Sequence, residues 1–576
     1  MVKVHIKNLD KVIEVPKNTL LIDAIRKGNV DFETPCNGAG TCGKCKVKVK
    51  GNLSAPLDEE KSLIKNEENI RLACQASIQG DIEVTLLKFN SNDLKTINKG
   101  YSIDTKLESR FKKINLPKYD QSNSTPYIES LNYDIKNLKI YSKLSYLLDH
   151  KINSLEGIVF DNTILDIDKS FNNLLGVAID IGTTGISSYL VDIQSGEIIN
   201  KISSLNPQSK FGGDVLSRIT YSMTNKNGLK ELHESIINEI NLLVNSLLEN
   251  KYSNDDIYNV VISANTTMLH FLLGVSAISI SRAPYKPIFL DKIDINAEEL
   301  GININSLGIV TLLPSASGYV GSDIVSGVVA TGFDNKENTA VFVDIGTNGE
   351  IVLISNSILS GTSTAAGPAL EGMNISCGSR AESGAIETFN IDDNFNFNIG
   401  VIGNIKAKSI CGSGLIDIMS ELIDKKVVLK SGRFNKNMPQ PLLERLVDKN
   451  FYITDDIYIS QSDIRQVQLA KGAISTGILL LLKQFGMTID DVDEVVVAGA
   501  FGYHLNPESI KKISLIPKGF KGTITFVGNS SIEGARLSLI NKDILDKMSY
   551  IKENIKVLEL SMSDEFQETF IKELSF

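Results

Sequence analysis

The sequence predicts a multidomain α/β protein, with a small cysteine-bearing N-terminal unit and a large duplicated C-terminal one. Three observations carry that reading. Four of the six cysteines, Cys36, Cys42, Cys45 and Cys74, fall near the start of the chain. The tetrapeptide DIGT occurs at Asp180 and again at Asp344, 164 positions later. After each copy, a β-branched strand runs into a small-residue turn and a helix.

The chain has 576 residues, enough for several domains, and 42% of them are hydrophobic, enough for large cores. A net charge of −10 argues against a general binder of nucleic acid or anionic membrane. The opening MVKVHIKNLD lacks the apolar core of a signal peptide, and no run approaches the ~18 apolar residues of a membrane span. A cytoplasmic location is therefore expected. The uneven cysteines are unlike a secreted disulfide scaffold.

Taken in order, VKVHI and KVIEV read as two strands joined at Asn8-Leu9-Asp10. Asn18 is expected to cap a helix through Lys27. PCNGAGTCGKCKVKV follows, with spacing C-x5-C-x2-C and a fourth cysteine 29 positions after the third. Three thiolates on one glycine-rich loop can wrap one face of an iron–sulfur cluster, and a distant fourth can close it. Gly38, Gly40 and Gly43 let backbone N–H groups turn toward the sulfurs, which tunes the potential. A structural zinc site is the alternative, but it usually has two short cysteine pairs, and only one is present here. DIEVTLL, Asp81 to Leu87, is expected to close the sheet. The unit spans 1–90.

Residues 91–125 are polar and aperiodic, and read as a linker. Residues 126–173 regain apolar clusters and read as a small α+β domain without chemistry; His150 is a surface or helix-end residue there. The remainder divides into halves, 174–336 and 337–576. Matched features lie 164, 235 and 214 residues apart, so the second half carries an insertion of roughly 70 residues. Two similar α/β halves make a cleft where strand ends and turns converge.

Each DIGT lies in a hairpin: apolar strands flank Gly182-Thr183-Thr184 in the first and Gly346-Thr347-Asn348 in the second. Such turns present backbone N–H groups and hydroxyls to a phosphate. Asp180 and Asp344, at strand ends, are placed to hold a hydrated Mg²⁺. VVVAGAFG adds a third glycine-rich element containing Gly499, Ala500 and Gly502.

These motifs carry two resemblances. The N-terminal segment resembles a β-grasp [2Fe-2S] ferredoxin. Its first cysteine spacing is one residue longer than the plant-type pattern, so it looks nearer the adrenodoxin-like branch. The duplicated half resembles the superfamily of actin, the sugar kinases and the heat-shock chaperone ATPases, a duplicated RNase H-like fold. That resemblance implies a Mg-ATP site: the two hairpins are the phosphate loops, VVVAGAFG is the adenosine loop, and Asp344 or Glu350 orients the attacking water. NPQSKFGGDVLSRI, SANTTMLHFLLG, GTSTAAGPALEGMNISCGSRAESGAIE and SICGSGLIDI narrow it to the reductive activators of corrinoid proteins. This family joins a [2Fe-2S] domain to an ATPase.

The family resemblance implies that an electron from a [2Fe-2S] cluster on the Cys quartet returns an inactive Co(II) corrinoid protein to Co(I), with ATP and Mg²⁺ in the cleft. It implies as partners a corrinoid protein of a methyltransferase system and an upstream low-potential electron donor, and a homodimer as the assembly. The alternatives are an ATP-driven electron donor like the activators of 2-hydroxyacyl-CoA dehydratases, or a small-molecule kinase with a redox-sensing domain. Cys377 and Cys411 read as buried inert thiols. His270 reads as a packed helical residue, His504 as a neighbour of the adenosine loop, and Lys471 as a residue facing the cleft.

Overall fold

The computed structural model describes residues 1–9, 11–28, 40, 45–64, 69–87, 101–120, 122, 124–150, 154–499, 505–560 and 564–576. Cys36, Cys42, Ala500, Gly502 and His504, and the first ten residues of the expected linker, lie outside the described residues.

The N-terminal unit is a five-stranded sheet. Its strands are β1 (Val2–Ile6), β2 (Lys11–Val15), β3 (Lys46–Leu53), β4 (Ile70–Leu72) and β5 (Ile78–Leu86), in the order β2-β1-β5-β3-β4. The strand expected to close the sheet, β5, is its centre: it runs parallel to β1 and antiparallel to β3. Alternation along β1 and β5 puts Val4, Ile6, Ile82 and Val84 in the core. The helix Leu21–Lys27 begins later than the sequence suggested. Asn18 does not cap it: it sits at φ 70° in the preceding turn, where its N–H bonds Ile78 O at 2.8 Å.

The expected linker is a second difference. Its later part is strapped onto the large unit by backbone hydrogen bonds from Tyr101 to Val527 (2.9 Å), Ile103 to Ala330 (2.8 Å) and Glu108 to Ile540 (2.8 Å). It then forms strand β6 (Phe111–Asn115), which pairs with β7 (Glu156–Phe160), itself paired with β8 (Thr163–Asp168). Main-chain groups make these contacts, so polar composition concealed them. The helix Leu138–Asp149 covers this small sheet through Ile140, Leu144 and Leu147. Arg110 ties the sheet to the large unit, bonding Asp161 at 2.7 Å and Asp294 at 2.9 Å.

The large unit is a duplication. The first half contains β9 (Leu175–Ile181), β10 (Gly185–Asp192), β11 (Ile198–Leu205), β12 (Ile257–Ala264), β13 (Ile293–Asn296) and β14 (Ile309–Leu312), ordered β11-β10-β9-β12-β14-β13. The second contains β15 (Ala340–Ile345), β16 (Gly349–Ser355) and β17 (Ile358–Thr364). An insertion follows with two small sheets, β18 (Ala385–Ile391), β19 (Phe397–Val401) and β20 (Ser409–Ile410), then β21 (Leu446–Val447), β22 (Asn450–Tyr452) and β23 (Tyr458–Ser460). The main sheet resumes with β24 (Glu494–Ala498), β25 (Thr523–Gly528) and β26 (Lys556–Val557), ordered β25-β24-β15-β16-β17-β26. Each half thus builds an antiparallel hairpin meander and extends it with two parallel strands on the far side of the first. β9 and β12, flanked on both sides, are buried throughout and largely apolar, as central strands must be.

The halves meet where helix Ser322–Ala330 crosses helix Ser530–Ile540. Small residues permit the approach: a Cβ on Gly534 would stand 2.6 Å from Ser326 O, and one on Gly327 2.6 Å from Ser530 Oγ. Gly534→Ala therefore tests the crossing. In an open helix the change stabilises by about 0.5–1 kcal/mol. Here it should cost about 1–3 kcal/mol by overpacking. A lowered thermal unfolding midpoint of the large unit checks this.

Candidate functional site

In the N-terminal unit, β3 and β4 pair with Lys46 opposite Leu72, which sets Cys45 and Cys74 side by side at their ends. The backbone bond Ala73 N to Cys45 O, 2.9 Å, holds that register. Both side chains are buried, with sulfurs 3.2 Å apart. Glu60 fixes the strand leading to Cys74. It is fully buried, accepts two bonds from Arg71 (2.8 and 2.9 Å), and takes the Leu72 N–H at 2.8 Å. A buried carboxylate paired this way is costly to break.

In the large unit the two DIGT hairpins face each other. Thr184 Oγ1 and Thr347 Oγ1 stand 3.3 Å apart across the cleft. Asp180 ends β9, next to Ser187 on β10 and Ser263 on β12. Asn529 donates to its Oδ2 at 2.8 Å and Ser531 to its Oδ1 at 2.7 Å, both from the second half. Asp344 ends β15, directly opposite Glu350 on β16. Glu350 accepts from Ser363 at 3.2 Å. Gly499 follows β24, with φ +123°, where a Cβ would stand 2.5 Å from Ile345 O.

Sequence reading missed further residues of this site. Asp323, in the first turn of helix Ser322–Ala330, faces Asp180, Asp344 and Glu350 electrostatically. Glu371 accepts from Thr347 at 2.9 Å and Thr184 at 3.5 Å. Three asparagines each cap a helical turn with Oδ1 and reach the first hairpin or its aspartate with Nδ2. Asn206 bonds Gly182 O (2.8 Å), Asn265 bonds Thr183 Oγ1 (3.1 Å), and Asn529 bonds Asp180. Fully buried Arg218 donates to Thr183 O and, at 2.9 Å, to Gly212 O. An asparagine just before each helical turn was the available signal; its second bond was not visible.

Electrostatics single out the acidic side of the cleft. Burial raises the pKa of Asp180, Asp323, Asp344, Glu350 and Glu371. Asp323 is pushed up to about 7 and Asp344 to about 8, each raised further by neighbouring carboxylates. Asp344 and Glu350 stand directly opposite on adjacent strands, where two like charges are unfavourable. Such a cluster fits a divalent cation. Among the described residues no three acidic, histidine or cysteine side chains form a ready-made metal cage.

Other expected residues fall elsewhere. Lys471 does not face the cleft. It is fully buried in helix Gln461–Gln484, donates to Ser575 O, and burial lowers its pKa to about 8. The periodicity of a long apolar helix cannot tell a cleft-facing position from one covered by a distant segment. His270 is a packed residue, as read: it is stacked on Phe289, with Nδ1 2.7 Å from Thr266 O. His150 ends the helix Leu138–Asp149. Cys411 is buried, its thiol donating to Ile386 O at 3.2 Å, whereas Cys377 is half-buried.

Comparison with known proteins follows the same division. The 2Fe-2S iron-sulfur cluster binding domain matches residues 4–79, the RACo middle region 175–336, and the C-terminal domain of RACo, the ASKHA domain, 338–576. The corrinoid activation enzyme RamQ of Eubacterium limosum is 32% identical over 602 aligned residues, covering 99% of this chain and 98% of the relative. The Co(II) methylated amine-specific corrinoid protein reductase of Methanosarcina barkeri is 24% identical over 446 residues, covering 70% and 77%. A solved structure, the reductive activator for corrinoid, iron-sulfur protein, superposes with TM-score 0.76 at 30% identity, covering 100% of this chain and 98% of that one. With its cysteine-bearing sheet, its duplicated cleft and similarity along nearly its whole length, this chain belongs to the family of reductive activators of corrinoid proteins.

Proposed function

We propose that the protein is an ATP-dependent reductive activator, which passes one electron from its N-terminal domain to the Co(II) of a corrinoid protein and returns it to Co(I). The observation that carries this is the joining, in one chain, of a ferredoxin-type sheet to a cleft whose two hairpins meet at Thr184 and Thr347. An electron carrier alone needs no nucleotide. Plant-type clusters sit near about −400 mV. For one electron, ~59 mV uphill costs about 1.4 kcal/mol, so an acceptor roughly 100–200 mV more negative demands about 2–5 kcal/mol. Nucleotide binding and hydrolysis act on that scale.

When bound, the [2Fe-2S] cluster supplies a one-electron store, and Mg-ATP supplies a hydrolysable phosphate bond. Cys36, Cys42, Cys45 and Cys74 hold the cluster; the adjacent, buried sulfurs of Cys45 and Cys74 fit ligation of one iron. Thr183, Thr184, Gly182, Gly346, Thr347 and Asn348 cradle phosphate, Gly499, Ala500 and Gly502 the adenosine. Asp180, oriented by Asn529 and Ser531, and Asp344 hold the hydrated Mg²⁺. Asp344 or Glu350 orients the attacking water. The partner is a corrinoid protein of a methyltransferase system, electrons arrive from a low-potential donor, and the chain acts in the cytoplasm as a homodimer.

An anaerobic spectrum tests the reading. With reductant, a Co(II) corrinoid protein and Mg-ATP, the Co(I) band should grow only when ATP and all four cysteines are present. Cluster cycling and ATP hydrolysis without Co(I) would overturn the corrinoid assignment. Two substitutions separate the modules. Cys42→Ala should abolish the cluster's visible absorption and electron transfer while nucleotide affinity stays within about twofold. Asp344→Ala should cut hydrolysis by about 100-fold or more and leave that absorption intact.

The buried acids also predict a pH dependence. Between its ordinary pKa and about 8, Asp344 keeps a proton in the folded state that the unfolded chain releases. Rising pH through that window therefore lowers stability. The nucleotide-free protein should melt at a lower temperature at about pH 8.5 than at about pH 6. Asp344→Asn should flatten this slope and stabilise the alkaline form by about 2 kcal/mol in unfolding titrations.

A further inference from the structure

Among the described residues, Glu371 is the acid of the cleft that bonds both hairpins. A single carboxylate oxygen, Oε2, accepts from Thr347 Oγ1 at 2.9 Å and from Thr184 Oγ1 at 3.5 Å. Those hydroxyls are themselves only 3.3 Å apart. The carboxylate thus takes up the donor pair that the two hairpins hold out toward the cleft. It comes from neither hairpin but from the 3-10 turn Pro368–Glu371 of the second half. That turn is anchored, because Ala369 and Leu370 are buried in the large core. A glutamate side chain turns about three bonds, so its carboxylate can change place without moving that turn.

Beside Thr183 and Thr184 lies a small cleft whose walls include Asp214, Arg218, Pro368, Met373, Asn374 and Arg380. Arg380 already acts electrostatically on Glu371, favouring its charged form. A carboxylate and a phosphate oxygen are both anionic acceptors of hydroxyl hydrogen bonds, and like charges in a poorly solvated site repel.

We propose that Glu371 is an internal stand-in for phosphate: it occupies the Thr184–Thr347 hydroxyl pair in the empty cleft and must swing toward Arg380 before a nucleotide phosphate seats. It thereby sets nucleotide affinity below what the hairpins alone would give, and it keeps the two halves bridged while no nucleotide is present. This rests on the reading of the cleft as an ATP site.

Calorimetry on the full, cluster-loaded chain tests it, with three probes: a Mg-bound non-hydrolysable ATP analogue, tripolyphosphate, and adenosine. Glu371→Gln keeps the size and an acceptor but removes the charge. It should tighten the analogue and tripolyphosphate about tenfold, equivalent to about 1.4 kcal/mol, and leave adenosine unchanged. Glu371→Asp, one methylene shorter, keeps the charge but loses reach to the hydroxyls, and should tighten both phosphate probes by a smaller factor. Unchanged or weaker phosphate binding in either folded variant overturns the proposal and makes Glu371 a positioning residue. Wild-type protein that binds none of the probes would instead overturn the ATP-site reading.

Discussion

The large unit depends on one buried carboxylate. Asp180 belongs to the first half, yet its two closest partners, Asn529 and Ser531, belong to the second. Ser531 also bonds Ser263 at 2.9 Å, and Ser263 bonds Ser326 at the same distance. The chain of hydroxyls runs beneath the helix crossing at Gly534. A buried charge that loses such partners is left with its full desolvation cost. The position of one half against the other is therefore tied to the state of the residue best placed to meet a cation.

That arrangement explains why the fold tolerates so many acids in one place. Asp344 and Glu350 oppose each other on adjacent strands, and Asp323 and Glu371 come in from helical turns. Burial disfavours the charged form of each, repulsion adds to it at Asp323, Asp344 and Glu350, and Thr347, Arg380 and Thr184 favour the charged form of Glu371. A stability-driven design would remove them. Their retention is intelligible if the nucleotide-free cleft is held partly protonated and the cation relieves it.

The strap from Tyr101 to Glu108 is fastened to the unit that carries the cleft. It hydrogen-bonds β25 at Val527 and the end of helix Ser530–Ile540, the helix whose cap Asn529 holds Asp180. Arg536 on that helix donates to Ser102 at 2.9 Å, and Asn541 to Thr105 at 2.6 Å. This strap is thus bound to the helix whose cap residue holds Asp180.

By itself the sequence determined the division into a cysteine-bearing unit and a duplicated α/β unit, the two hairpins and the presence of an insertion in the second half. Those features are local: cysteine spacing, glycine turns and runs of β-branched residues are visible at short range. It also supplied Asp180, Asp344 and Glu350, because they sit within the DIGT hairpins themselves. Tertiary structure alone decided the rest. Asp323, Glu371, Asn529 and Ser531 stand in stretches with ordinary helix-start or turn composition, and only folding brings them to the hairpins. Lys471 went the other way, since a segment about a hundred residues later covers it. The strap was concealed for a third reason: main-chain hydrogen bonds hold it, and these leave no mark on side-chain pattern.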